Sequence, residues 1–192
     1  MVHAGDEIFN PRTGQRMIFR QTGEDTNGQL LQIECFNAPN GPKEPEHVHP
    51  KQENRFEILE GSLQFSIAGR ERMTGPGEII AIPAMTPHFF WNSGDTPAHY
   101  IQEFRPALHI DSFFETWFNL AQNGKLNAQG IPNPLQTAVL LKGFWNEIQV
   151  TQPPFMVQKI MTTFLAPVGR LLGYRDQYPL VARTTKVARS GY

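Results

Sequence analysis

The sequence predicts a mostly β sandwich or barrel followed by an α-helical extension, and three observations predict it. Glycine and proline contribute 16 residues each to a chain of 192, a density of turn chemistry that suits many short strands better than a helical bundle. Short apolar or alternating runs recur between turn signals as far as Phe104, the spacing of a sandwich or barrel. Beyond it the period becomes helical, and the charge changes too: residues 1–109 carry nine Lys/Arg and fourteen Asp/Glu, residues 110–192 eight and four. The division is therefore expected near Pro106–Asp111, with a β-barrel over 1–109, a helical extension over 110–176 packed on the barrel or a dimer partner, and a loosely ordered polar tail over 177–192.

Taken in order, Asp25-Thr-Asn-Gly28 turns into a strand over Leu30–Phe36, and Asn40-Gly-Pro42 turns out of it. Arg55–Leu59 runs through Glu60-Gly61 into Ser62–Ala68, whose apolar residues alternate at period two. Gly69-Arg70 turns the chain back, and Gly75-Pro-Gly77 precedes the short run Glu78–Ile82. Pro87–Trp91 and His99–Phe104 complete the strands. Ser112-Phe-Phe-Glu115 reads as a capping box opening a first helix, with Phe113, Phe114, Trp117, Phe118 and Ala121 on one face and Asn123-Gly124 as its stop. Asn133 caps a second helix with Pro134 at its first position, carrying Leu135, Ala138, Val139, Trp145 and Ile148. A third follows Pro153-Pro154 and carries Ile160, Met161, Phe164 and Leu165, until Pro167 kinks or ends it.

Composition narrows the function classes. A formal charge of −1 offers no electrostatic footprint for nucleic acid. The lone Cys35 excludes an internal disulfide framework and a multi-cysteine zinc site, and mid-strand it reads as a small core residue rather than a nucleophile. No apolar window reaches membrane-spanning length, and Met1 to Asn10 lack the pattern of a secretory leader, so a cytoplasmic protein without membrane or nucleic-acid partners is expected. No nucleophile elbow, P-loop or dinucleotide loop is present.

His47-Val-His49 is the strongest local signal, because residues i and i+2 of a strand share a face and both imidazoles can converge on one ion. Glu53 follows, and His88 stands on a later strand. Alternation sets Asn54, Phe56 and Ile58 opposite Arg55 and Glu57, so Asn54 is the natural inward residue and Glu53 reaches the interior only through a bulge or a looser loop. Phe90 is expected inside, as are either Gln102 and Phe104 or Glu103 and Arg105. Phe56, Ile58, Phe90 and Glu103 are accordingly the candidate pocket residues.

Gly41-x5-His47-x-His49-x3-Glu53-x7-Gly61 and Gly77-x5-Pro83-x-Met85-x2-His88-x3-Asn92 resemble the two motifs of the cupin family. The resemblance covers roughly residues 25–106 and implies a jelly-roll (double-stranded β-helix) barrel holding a divalent metal on His47, His49, His88 and Glu53. There are two departures. The family's spacing back from Gly61 lands on Asn54 instead of a glutamate, which makes Asn54 the alternative fourth ligand, and Met85 stands where the family has glycine. Imidazole and carboxylate ligands suit Fe, Mn, Ni, Co or Zn. The implied function is a metal-dependent dioxygenase, isomerase or cyclase acting on a small apolar or aromatic molecule; the alternative is a non-catalytic binding or sensing module with a structural metal or none. Apolar residues at both parities of Leu30–Phe36 suggest a strand covered on both faces, hence a homodimer. The helices read as structural cover.

Overall fold

The computed structural model describes residues 2–128 and 130–179; most of the expected polar tail, residues 180–192, lies outside them. The fold is mostly β. In chain order the strands are β1 (Glu7–Asn10), β2 (Gln15–Gln21), β3 (Leu31–Asn37), β4 (His47–Val48), β5 (Glu53–Glu60), β6 (Leu63–Ile67), β7 (Arg70–Thr74), β8 (Ile79–Ile82), β9 (His88–Trp91) and β10 (Ala98–Arg105). Then come α1 (Ile110–Gln122), α2 (Pro134–Gly143), β11 (Gln149–Val150) and α3 (Phe155–Leu171). Two antiparallel sheets form the jelly roll, one ordered β1-β2-β3-β10-β5-β8 and the other β11-β4-β9-β6-β7.

Alternation explains which side chains fill the space between the sheets. Met17 and Phe19 on β2, Leu31, Ile33 and Cys35 on β3, Phe56 and Ile58 on β5, Leu63 and Phe65 on β6, and Tyr100 and Phe104 on β10 are almost wholly buried. Phe56, Phe65 and Phe90 meet with centroids 4.9–5.7 Å apart, within the range of favourable aromatic packing. Gly61 closes the β5–β6 turn at φ 71°, and any Cβ there would stand 2.4 Å from the Pro97 carbonyl oxygen, so only glycine fits. Asn92, the last residue of the second motif, donates to the carbonyls of Asn37 and Thr96 and accepts from the Gly94 amide, which locks the β9–β10 turn.

β3 lies inside its sheet between β2 and β10. The apolar residue on its outer face is Phe36, stacked on His99 and covered by the Arg16 guanidinium. Beside it Glu34 pairs with Arg20 and His99, so the apolar residue at the second parity is satisfied within this chain.

Sequence reading missed β1, β2, β7 and the two-residue β11, where polar or charged residues interrupt the alternation. α1 begins at Ile110, two residues ahead of the expected cap: Ser112 lies within the helix, and His109 occupies the cap position with no side-chain bond. The wholly buried Ile110 draws that first turn onto the barrel core. α2 starts as expected, with Asn133 Oδ1 accepting from the amides of Leu135 and Gln136, but stops at Gly143; Trp145 and Ile148 lie beyond it. α3 continues through Pro167. Among the described residues no helix is long and apolar enough to cross a membrane.

Candidate metal centre

His47 on β4 and His88 on β9 are direct cross-strand partners, and His49 lies two residues along on the same face. Their ring centroids are 4.5–5.3 Å apart, and one nitrogen from each falls within 4.8 Å of the others. All three are buried. Each Nδ1 faces a backbone carbonyl: His47 that of Pro45 at 2.9 Å, His49 that of Glu147 at 2.6 Å, His88 that of Thr86 at 2.8 Å. A carbonyl only accepts, so Nδ1 carries the proton on every ring and each Nε2 keeps its lone pair. Burial holds the imidazoles neutral, His47 down to about 3 and His49 and His88 below the ordinary histidine value. Three neutral imidazoles with oriented tautomers and clustered nitrogens are a donor set that fits a divalent cation.

Glu53 does not belong to it. The β5–β10 register runs unbroken from Arg105↔Glu53 to Tyr100↔Ile58, so no bulge turns Glu53 inward and its side chain is exposed. Among the described residues no carboxylate joins the three histidines. Asn54 is the inward residue. Its Nδ2 lies 3.5 Å from His88 Nε2, while its Oδ1 accepts from Gln102 Nε2 at 3.1 Å. The amide thus stands beside the histidines with its oxygen already engaged. Gln102 in turn meets the Cys35 thiol, whose ionisation burial pushes far up.

Glu103 is also corrected. It faces the outer side of its sheet, where it accepts from Gln32 and pairs with Arg55 and Arg105; Gln102 and Phe104 are the inward pair, and Phe104 lies edge-on to His49 at 5.1 Å. Phe56 and Ile58 point inward but are core, while Phe90 lines the cavity. That cavity, of about 1310 Å³, opens from His47 and His49 and is walled largely by apolar side chains, including Phe113, Phe114 and Trp117 of α1, Leu140 of α2 and Leu165 of α3. The helices therefore roof the barrel mouth rather than cover an outer sheet.

Two features escaped the sequence reading. Glu44, on the loop before β4, lines the cavity, and burial pushes its carboxyl up to about 7; the adjacent Gly41–Gly61 spacing was the only signal near it. The other is the Glu147 carbonyl, 98 residues from the His49 it orients, which carries no sequence signature at all. Met85 holds φ 63°, the backbone that glycine adopts most cheaply, and its amide donates to the His49 carbonyl at 3.0 Å, tying the second motif to the first.

A family model described as "Cupin domain" matches residues 36–102. The chain is 29% identical over 137 residues to a probable oxidoreductase, patJ, of Penicillium expansum, covering 65% of this chain and 42% of that one. It is 25% identical over 114 residues to quercetin 2,3-dioxygenase of Bacillus subtilis (strain 168), covering 59% and 31%. The alignments thus span less than half the length of these relatives. Among solved structures, the polyketide cyclase RemF from Streptomyces resistomycificus is 24% identical with a TM-score of 0.43, over 55% of this chain and 70% of that one. With both motifs folded onto one jelly roll and the family model matching across them, residues 36–102 form a cupin domain.

Proposed function

We propose that this protein is a metal-dependent cupin enzyme acting on a small, largely apolar or aromatic molecule, by dioxygenase, isomerase or cyclase chemistry. The observation that carries the proposal is the clustering of three buried imidazoles, each with its Nδ1 on a backbone carbonyl, where His47 and His49 line an aromatic-walled cavity. His47, His49 and His88 would hold the ion, which supplies Lewis-acid or redox activation of substrate oxygens. The chain's own residues do the rest. Phe90, Phe104, Phe113 and Trp117 present flat apolar surface to a planar substrate and exclude water. Glu44, poised at about 7, is the group suited to take or return a proton at its carboxylate oxygen near neutral pH. Kinship with an oxidoreductase and a quercetin dioxygenase supports this class.

The test is elemental analysis of protein purified without added metal or chelator, followed by turnover assays on quercetin and on aromatic polyketides in air. One equivalent of a redox-active metal with turnover supports the enzyme, and Glu44→Gln should then lower kcat while leaving metal content unchanged. One observation favours the second reading, a binding or sensing module: Asn54 stands where the family pattern has a carboxylate. Metal-free protein that binds an aromatic ligand without converting it would establish that reading instead.

A further inference from the structure

α3 is built inside out. Toward α2 it turns small or polar side chains: Thr162, Ala166 and Gly169 are buried, and a Cβ on Gly169 would stand 2.8 Å from Val139 Cγ2. Most of its large apolar side chains face away from the protein. Of the fourteen large hydrophobic residues exposed among the described residues, eight belong to α3 or its C-cap: Met156, Val157, Ile160, Met161, Phe164, Val168, Leu171 and Leu172. Phe164 is 70% and Leu171 88% exposed. At about 100° per residue these eight fall within roughly 80° of Phe164 on the helix circumference. Together they present on the order of 800 Å² of apolar surface, beyond the ~300–600 Å² of a typical largest monomer patch and close to the ~800 Å² that each partner contributes to a standard interface.

The order of residues along the stripe says what covers it. Read in both directions from Phe164, the stripe matches itself: Met156 answers Leu172, Val157 answers Leu171, Ile160 answers Val168, and Met161 answers Pro167. Two copies of α3 crossing antiparallel about a two-fold axis at Phe164 would therefore set apolar against apolar at every step, which is the self-complementarity an isologous contact requires. The helix's two charges fit the same operation. Lys159 comes opposite Gly169 and Arg170 opposite Gln158, so no cation meets a cation, and both lie more than about 100° round the helix from Phe164. Two cations on a helix this apolar are too few for the basic polar face of a membrane-surface helix.

We infer that α3 is the dimerisation surface of this protein, covered by α3 of a second copy in antiparallel two-fold contact centred on Phe164. The outer sheet, occupied by the Arg20–Glu34–His99 and Arg55–Glu103–Arg105 clusters, is not needed for it. Met161 and Leu165 also line the cavity, so the same contact would brace the helix that walls its mouth.

Light scattering on the full chain at 1–100 μM should give twice 21.8 kDa. Phe164→Glu sets two carboxylates together on the axis and should raise the dimer dissociation constant more than about 100-fold, with an unchanged circular dichroism spectrum because the side chain is exposed. Phe164→Cys, in a chain whose only native thiol is buried, should oxidise to a covalent dimer, as should Val157→Cys combined with Leu171→Cys, whereas Val157→Cys alone should not. A monomeric wild-type chain would overturn the inference, including one that instead binds anionic phospholipid vesicles. A dimer that survives Phe164→Glu would overturn it equally.

Discussion

The wall around His47, His49 and His88 and the outer face of α3 break the ordinary partition of side chains in opposite senses. On the wall, polar groups are buried: the three histidines, Asn54 and Gln102 are each at most 6% exposed. Burying such groups costs free energy unless each finds a partner, and here each has one, from the carbonyls behind the imidazoles to the Asn54–Gln102 amide pair. What this arrangement leaves available to a visitor is the cluster of imidazole Nε2 atoms, and it faces inward. On α3 the apolar groups are exposed, and what goes unfilled is surface, facing outward. The proposed ion site and the proposed partner surface thus leave the same kind of trace, a local departure from inside–outside order with its geometry already arranged.

The largest effect expected on the wall comes from removing a ligand. His88→Ala should weaken divalent-metal binding more than about 100-fold, read by chelator competition, because two neutral imidazoles cannot replace three. If the metal stays bound, the histidine cluster is not its site.

Acid should act through the same residues. In the metal-free protein the histidines lie below their unfolded values, so their contribution is present above about pH 6.5 and is lost as pH falls, because the unfolded chain then binds protons that the folded one refuses. The urea midpoint should drop between pH 7 and 5, with a limiting slope near 1.4 kcal/mol per pH unit for each histidine. Replacing all three by glutamine should flatten that slope.

Asn54→Asp sharpens the contrast by putting a carboxylate where the family pattern has one. Without metal it should cost about 2–3 kcal/mol, since a charge is buried facing a lone pair, and with metal it should gain about tenfold in affinity. Thermal melts with and without metal separate the two terms. Met85→Gly relieves a left-handed backbone at an exposed side chain and should stabilise by about 1 kcal/mol in urea unfolding. Glu53→Gln, at the exposed neighbour of Asn54, should leave stability within about 0.5 kcal/mol and metal content unchanged.

Much of this molecule is legible along the chain because its signals are local. The turn residues between runs, the period-two alternation that puts Asn54, Phe56 and Ile58 on one face, the i,i+2 pair His47 and His49, and the Asn133-Pro134 helix start each depend on residues within a few positions of one another. The two histidine motifs carry their fold with them, and the inner parity of β5 already disfavoured Glu53. What the chain order could not settle depended on contacts between distant residues. Whether Glu103 or Gln102 faces inward turned on the register of β10 against β3 and β5, because both residues sit in a strand with apolar neighbours at either parity. The start of α1 followed the burial of Ile110, not the strength of the Ser112 box, since tertiary packing outweighs a cap worth about 1 kcal/mol. The tautomer of His49 depends on the Glu147 carbonyl. The helices' place over the barrel mouth, and the direction in which α3 turns its large side chains, were decided only when α2 offered Val139 and the Leu135 carbonyl to Gly169: a helix apolar on most of its circumference has no preferred face until a neighbour is close enough to admit only the small one.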